Sequence, residues 1–229
     1  MRLTAKPSSV PPAMPLLLAL ACALIPAAAA TAAEDVKVVD TRSITPEPQS
    51  GDQKSSHELR LQIYAFQGTR WQASDIVVAL WDAVPMLEQC GVALAGAELR
   101  VLETPRRFHV YSTPVSRDLL RDMAVTKPAI FFVDETHNQP AYDSESIGRE
   151  NAATRPELAD TVWVAYGARD LSLVLAHELV HLLADSGEHS TDPGNLMYPE
   201  SASTNVRLSD TQCQRLRQRG EENGLLKRR

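Results

Sequence analysis

The order of sequence patterns predicts an α+β fold. Residues 58–66 alternate apolar and polar side chains, as a half-buried strand does, and residues 128–133 have the apolar character of a second strand. Residues 171–183 form an apolar run without glycine or proline, long enough for a buried helix. The elements follow one another as strands, an early helix, more strands and two late helices.

Residues 1–33 have the pattern of a secretory signal peptide. Arg2 and Lys6 precede the apolar stretch 14–25, which is too short to span a bilayer comfortably. Residues 30–32, Ala-Thr-Ala, offer a small-x-small cleavage site. We therefore expect a secreted or periplasmic protein whose mature chain has no stable membrane span.

Two alternatives to a cleaved signal peptide carry less support. A signal anchor is disfavoured because Pro15 and Pro26 lie at the two ends of the apolar stretch. A lipoprotein signal at Cys22 is disfavoured because Ala19 stands where a large aliphatic residue is usual.

Removal of residues 1–33 leaves 196 residues, enough for one domain with a sizeable core. The whole chain has a formal net charge of −6, and the leader holds two basic residues and no acidic one, so the mature chain carries −8. An acidic domain gives no reason to expect nucleic-acid binding. The basic residues at 215–219 and 227–229 are interpreted as a solvated face, and we expect a monomer.

Residues 34–56 are rich in polar residues and proline, so we expect a flexible N-terminal arm with at most a short strand at Val36–Val39. Residues 57–229 form the expected domain, in which Ser74 caps an early helix that runs through Cys90. The other expected elements are strands at Ala97–Leu102, Phe108–Tyr111 and Thr161–Tyr166, a short helix at Pro114–Met123, a loop at Asp134–Tyr142, and Asp170 as the N-cap of the helix over 171–183.

That helix carries polar residues that need partners, because the rest of it is apolar. His177 and His181 are four residues apart and therefore lie on one face. Two imidazoles on one face can bind one zinc ion, and Glu178 beside the first can act as a base toward water. The alternative is a core helix whose histidines are simply hydrogen-bonded.

A catalytic zinc takes three protein ligands and leaves one position for water. His189, eight residues after His181 and just past Gly187, is the expected third ligand, because a helix that ends near the glycine can turn back there. Asp185 and Glu188 remain as competitors, and His189 could instead be a solvated loop histidine.

Residues 188–199 read Glu-His-Ser-Thr-Asp-Pro-Gly-Asn-Leu-Met-Tyr-Pro. Together with the two helix histidines, this segment resembles the metzincin clan of zinc peptidases, and especially its matrixin branch, from the third histidine through the methionine turn. The resemblance covers residues 170–200 and is weak elsewhere. It implies a twisted mixed sheet backed by an early helix and the zinc helix, a C-terminal helix, Met197 beneath the metal, and a protein or peptide substrate. Tyr198 directly follows the methionine, one position earlier than in the clan's tyrosine-using members, so we expect it to be structural.

One departure from the clan pattern lies just before the third histidine. The clan's glycine, three residues after the second histidine, is Ala184 here, and His189 lies two residues later than the pattern. Because alanine is a good helix former, we expect the zinc helix to run to about Asp185 or Ser186. Gly187 is then expected to have a positive φ and to bring His189 to the metal.

The resemblance also places an edge strand of the cleft near Ile147–Ala153 and makes Ser209 the N-cap of the C-terminal helix. Export and an even count of two cysteines in the mature chain favour one disulfide. In a metzincin-like domain Cys90 and Cys213 would lie against each other, which implies that they pair. A competing interpretation is a cysteine switch, in which Cys90 occupies the zinc, but the flanking residues of that switch are missing.

The sequence thus predicts an exported zinc-dependent endopeptidase with one catalytic zinc ion on the two helix histidines and His189. Glu178 is the expected catalytic base, which activates a zinc-bound water to hydrolyse the peptide bond. Two alternatives stay open, a catalytically silent metzincin-like binding module and a gluzincin-type peptidase with Glu200 as third ligand. His109 and His137 are interpreted as a strand-surface and a loop histidine rather than as ligands.

Overall fold

A mixed β-sheet forms the centre of the fold. The computed structural model describes residues 36–45, 55–137, 144–200 and 202–229. Within them the sheet consists of β1 (Lys37–Ile44), β2 (His57–Phe66), β3 (Val92–Glu103), β5 (Ala129–Val133), β7 (Ser144–Ile147), β8 (Thr161–Ala165) and β9 (Leu226–Arg228). Two short strands, β4 (Val110–Tyr111) and β6 (Glu135–Thr136), pair with each other. The helices are α1 (Ala73–Glu88), α2 (Thr113–Asp122), α3 (Leu171–Ala184) and α4 (Asp210–Glu222).

The signal peptide predicted at residues 1–33 lies outside the described residues, and so does most of the predicted loop 134–142. In the part of the chain that the structure describes, no helix is long and apolar enough to cross a membrane.

The strands lie in the order β1-β3-β2-β5-β8-β7, and β9 pairs with the first residues of β2. β3, β2, β5 and β8 are parallel to one another. The outer strands β1 and β7 are antiparallel to their neighbours. The predicted α+β architecture is therefore confirmed, with a mixed sheet, two helices packed on it and a C-terminal helix.

The central strands β5 and β8 are buried on both faces, which explains their continuous apolar sequences. Successive side chains of a strand point to opposite faces, so Ile130 and Phe132 join a core shared with α1 and α3. On the other face, the Phe131 ring stacks on Tyr64 with centroids 4.8 Å apart and on Trp163 with centroids 4.2 Å apart. α3 therefore packs against the first face of the sheet. A separate core rich in aromatic side chains lies on the second face.

The early helix differs from its predicted bounds at both ends. α1 begins at Ala73, so Ser74 lies inside its first turn, where the hydroxyl donates to Asp75 instead of capping the helix. The helix ends at Glu88, before the predicted end at Cys90. Gly91 follows with a φ of 68°, a conformation that favours glycine and leads the chain into β3.

Three other segments differ from the sequence predictions because of long-range strand pairing. The segment expected to be a flexible arm contributes β1, which pairs with residues 97–103 of β3 and extends past the predicted Val36–Val39. β3 itself begins at Val92 rather than Ala97, since its first residues pair with β2. Of the strand predicted at 108–111, only β4 is extended, and Arg106–His109 form a 3₁₀ turn.

The C-terminal helix is tied to the rest of the domain by covalent and polar contacts. Ser209 forms a capping box with Gln212, as its predicted N-cap role requires. The predicted disulfide between Cys90 and Cys213 is present, and it joins the turn after α1 to α4. After α4 the chain returns to the sheet as β9, a strand that the sequence patterns did not predict.

The disulfide closes a loop between residues 123 apart in sequence, so its removal should lower the free energy of unfolding by about 2–4 kcal/mol. The double variant Cys90→Ala/Cys213→Ala tests this by urea unfolding beside the wild type. Reductant should destabilise the wild type and leave the double variant unchanged. Equal unfolding midpoints for the two oxidised proteins would contradict the prediction.

Candidate metal centre

Two of the predicted ligands lie one turn apart on α3. The helix is buried along most of its length. The ring centroids of His177 and His181 are 4.6 Å apart. Asp170 occupies the predicted N-cap position, in the left-handed conformation with a φ of 49°, but its side chain accepts no hydrogen bond from a backbone N–H of the helix. The burial of the helix against the sheet core, rather than a cap, holds the two rings in place.

Three imidazole nitrogens converge on one point. His181 Nε2 lies 2.9 Å from His177 Nε2 and 3.3 Å from His189 Nε2. The three candidate ligand atoms all lie within 4.8 Å of one another. Nitrogens 2.0–2.1 Å from a tetrahedral zinc are about 3.3 Å apart, so the spacing suits one shared ion. The cluster could therefore hold a metal.

Two backbone carbonyls orient two of these rings. His177 Nδ1 donates to the carbonyl oxygen of Leu196 at 2.7 Å, and His181 Nδ1 donates to that of Ser186 at 2.6 Å. Because a carbonyl only accepts, each Nδ1 carries the proton and each Nε2 turns a lone pair toward the centre. Lone pairs this close repel unless a cation lies between them, so the donor set suits a metal ion.

Two of the three rings are neutral near neutral pH. Burial lowers the pKa of His181 to about 4, and partial burial also lowers the pKa of His189. Neutral imidazole is the form that binds metals, because a protonated ring has no lone pair to donate. His181 and His189 can therefore bind a cation without first losing a proton.

His189 reaches the centre because the chain reverses at Asp185 and not at Gly187. α3 ends at Ala184, just short of the predicted end, and Asp185 has a φ of 46°. Gly187 is outside the left-handed region, so the predicted positive φ there is wrong. The buried Asp185 carboxylate accepts a hydrogen bond from the Glu150 N–H at 3.1 Å, and this anchor offsets the strained backbone.

The other candidates for the third ligand, Glu188 and Asp185, interact with other groups. Glu188 has a side chain that is 80% exposed and ion-paired with Arg215 at 2.7 Å. The Asp185 carboxylate is used by the Glu150 N–H. Across the described residues, the group of ligating side chains close enough to share a metal consists of the three histidines alone, which leaves out Glu200, His109 and His137.

A buried turn around Met197, which follows the three histidines in the sequence, supports the metal centre. Met197 is 2% exposed, and its N–H donates to Asn195 Oδ1 at 2.9 Å. The Asn195 side chain also exchanges hydrogen bonds with Gln212 of α4. The Met197 carbonyl accepts from the Ser190 N–H at 2.7 Å, next to His189. The turn therefore fixes both the Leu196 carbonyl and the loop of the third histidine, and Asn195 is a contributor that sequence reasoning missed.

A hydrogen bond from the edge strand holds the Glu178 side chain, which follows His177 on the helix. Its side chain is buried in an apolar helix, with 8% of the residue exposed, and Oε1 accepts a hydrogen bond from Ser144 Oγ at 2.8 Å. Ser144 begins β7, the edge strand that the sequence predicted near Ile147–Ala153. The strand lies earlier because residues 144–147 pair with β8, and Ser144 was therefore missed as a site residue.

Glu145 is the neighbouring carboxylate in the same wall. It is ion-paired with Arg155 at 3.5 Å, and burial raises its pKa. Because this carboxylate already has a cationic partner, Glu178 is the carboxylate available to act at the centre.

An open cleft of about 620 Å³ runs between β7 and the metal centre. Besides the three histidines, Arg169, Val174, Asn151 and Ser186 line it. Pro199 also lines the cleft, whereas the described residue Tyr198 is not part of its lining.

Comparison with known proteins supports the fold. No protein-family model matches the chain. No curated protein matches it either. Among solved structures, the chain is similar to the crystal structure of metalloproteinase-II from Bacteroides fragilis, at 16% identity and a TM-score of 0.50. The match covers 76% of this chain and 56% of that one, so this chain spans little more than half of its neighbour. At this identity the match establishes a shared fold.

The chain reversal gives a matched pair of variants. Asp185→Ala should lower the free energy of unfolding by about 1–3 kcal/mol, because it places alanine at a left-handed φ and removes the acceptor of the Glu150 N–H. Gly187→Ala should change it by less than about 0.5 kcal/mol, since an added Cβ meets nothing within 4 Å.

Urea unfolding of both variants in the presence of chelator measures this difference without a contribution from metal. A larger loss for Gly187→Ala than for Asp185→Ala would contradict the assignment of the reversal to residue 185.

Proposed function

We propose that this chain is an exported zinc-dependent endopeptidase of metzincin type. The observation that carries the proposal is the convergence of three imidazole Nε2 atoms within 4.8 Å, with the Glu178 carboxylate next along the helix. Three imidazole nitrogen ligands and an adjacent carboxylate are the components of a hydrolytic zinc site.

His177, His181 and His189 are the proposed zinc ligands. Imidazole suits zinc among the common divalent metals, and three protein ligands leave a position open for water. A bound zinc ion would act as a Lewis acid, polarising a peptide carbonyl and lowering the pKa of water toward neutral. The carbonyls of Leu196 and Ser186 fix the rings that would hold it.

Glu178 is the proposed general base. Oε1 is held by Ser144, which leaves Oε2 to take a proton from the attacking water. The same carboxyl then donates that proton to the departing amine nitrogen, so the base returns to its starting form. Its burial excludes bulk water and keeps the carboxylate close to the reacting atoms.

The open cleft supports cleavage within a peptide chain, and the disulfide supports export. The cleft of about 620 Å³ has room for a segment of a longer chain beside the histidines, which an endopeptidase requires. The disulfide fits an oxidising compartment, in agreement with the leader pattern at residues 1–33. Residues 57–229 form the proposed peptidase domain, and β1 adds a strand to its sheet.

The two alternatives have less support. A gluzincin-type site would use Glu200, but His189 already lies at the third position. A silent binding module has no need of a base, yet Glu178 is present and is held by a hydrogen bond from the opposite wall of the cleft.

Peptide or casein hydrolysis by the zinc-loaded protein tests the proposal. Glu178→Ala should keep the fold and the zinc but lose at least about 10²-fold in rate, because it removes the general base. The matched control is Glu188→Ala, a nearby glutamate with an 80% exposed side chain, which should retain wild-type activity.

Hydrolysis should also stop when chelator removes the zinc. Undiminished activity in Glu178→Ala would overturn the assigned mechanism, and a zinc-loaded wild type that cleaves no peptide would overturn the assigned activity.

A further inference from the structure

The contact between Ser144 and Glu178 joins two elements that are far apart in the sequence. Ser144 is the first residue of β7 and is in register with Val164 of β8. Glu178 lies near the middle of α3, 34 residues further along the chain. The hydroxyl donates to the carboxylate at 2.8 Å, so this bond joins the edge strand to α3 within the lining of the cleft.

A glutamate side chain has three rotatable bonds, and a base must be within hydrogen-bond reach of its proton to act. One oxygen of Glu178 is fixed by the serine hydroxyl, so rotation of the carboxyl group is restrained. A hydrogen bond to a charged group is strong enough to select one rotamer over others. The second oxygen is then presented in a defined direction.

Other polar groups of the strand do not duplicate this contact. Glu145, the next residue, is ion-paired with Arg155. Ser146 has the same strand orientation as Ser144, since side chains two residues apart share a face, and it also lines the cleft. The structure places the hydroxyl of Ser144, and not that of Ser146, on the Glu178 carboxylate.

We propose that Ser144 is a positioning residue for the hydrolytic reaction, which holds Glu178 Oε1 so that Oε2 faces the attacking water. This inference rests on the proposed peptidase activity and adds to it the edge-strand serine as part of the machinery. Ser144 acts through Glu178 and takes no proton itself.

The test compares Ser144→Ala, Ser144→Thr and the control Ser74→Ala as mature, zinc-loaded proteins; Ser74 is an exposed serine of α1 that does not line the cleft. Ser144→Ala should lower kcat by about 10- to 100-fold, because a base that is free to rotate spends less time in reach of its proton. KM, zinc content and melting temperature should stay at wild-type values. Ser144→Thr keeps the hydroxyl and should restore most of kcat, and Ser74→Ala should have wild-type kcat.

A double-mutant cycle separates positioning from general support of the fold. If Ser144 acts through Glu178, Ser144→Ala should have no further effect on kcat in a Glu178→Ala background. An unchanged kcat in Ser144→Ala, an equal loss in Ser74→Ala, or a full additional loss in the double variant would overturn the proposal. Failure of the zinc-loaded wild type to cleave peptides is a different result, and it would overturn the peptidase assignment together with this inference.

Discussion

The candidate metal centre depends on two hydrogen bonds from histidine Nδ1 atoms to backbone carbonyls, because these bonds orient two of its three rings. The carbonyl oxygens of Leu196 and Ser186 accept from His177 and His181, and this choice of acceptor turns both Nε2 lone pairs inward. Each carbonyl must itself be held in place. The first belongs to the turn containing Met197, which Asn195 links to α4, and α4 is linked to the turn after α1 by the disulfide. The geometry of the metal centre thus depends on contacts well outside it.

The second carbonyl depends on the end of α3. The left-handed residue there is Asp185, and its buried carboxylate accepts from the backbone N–H of Glu150, just beyond β7. β7 carries Ser144, whose hydroxyl holds Glu178. The edge strand and the residues just after it are therefore connected to α3 at Glu178 and at the end of the helix. His177, Glu178 and His181 can be accommodated in an otherwise apolar helix because each has a defined partner.

Local patterns predicted the features that depend on local chemistry. Helical spacing placed His177 and His181 on one face. The resemblance to the metzincin clan, rather than a local pattern, implied the N-cap at Ser209 and the pairing of Cys90 with Cys213, and both are present. The features that failed depend on distant partners. Glycine is the residue that most often adopts the left-handed conformation. Here Asp185 adopts it instead, and its carboxylate accepts a hydrogen bond from the Glu150 N–H. β1, β9 and the position of β7 are set by strand pairing across the sheet, which no local alternation specifies, and Ser144 was missed for the same reason.

The zinc content of the purified mature protein, measured by mass spectrometry, tests the central claim most directly. The three-histidine site predicts one zinc ion per chain in the wild type, loss of zinc in His181→Ala, and weakened zinc binding in His189→Ala. His137→Ala, which alters a histidine outside the cluster, should retain the full amount. A wild-type protein that purifies without metal and cannot be loaded with zinc would contradict the account, as would a His181→Ala variant that keeps one zinc per chain.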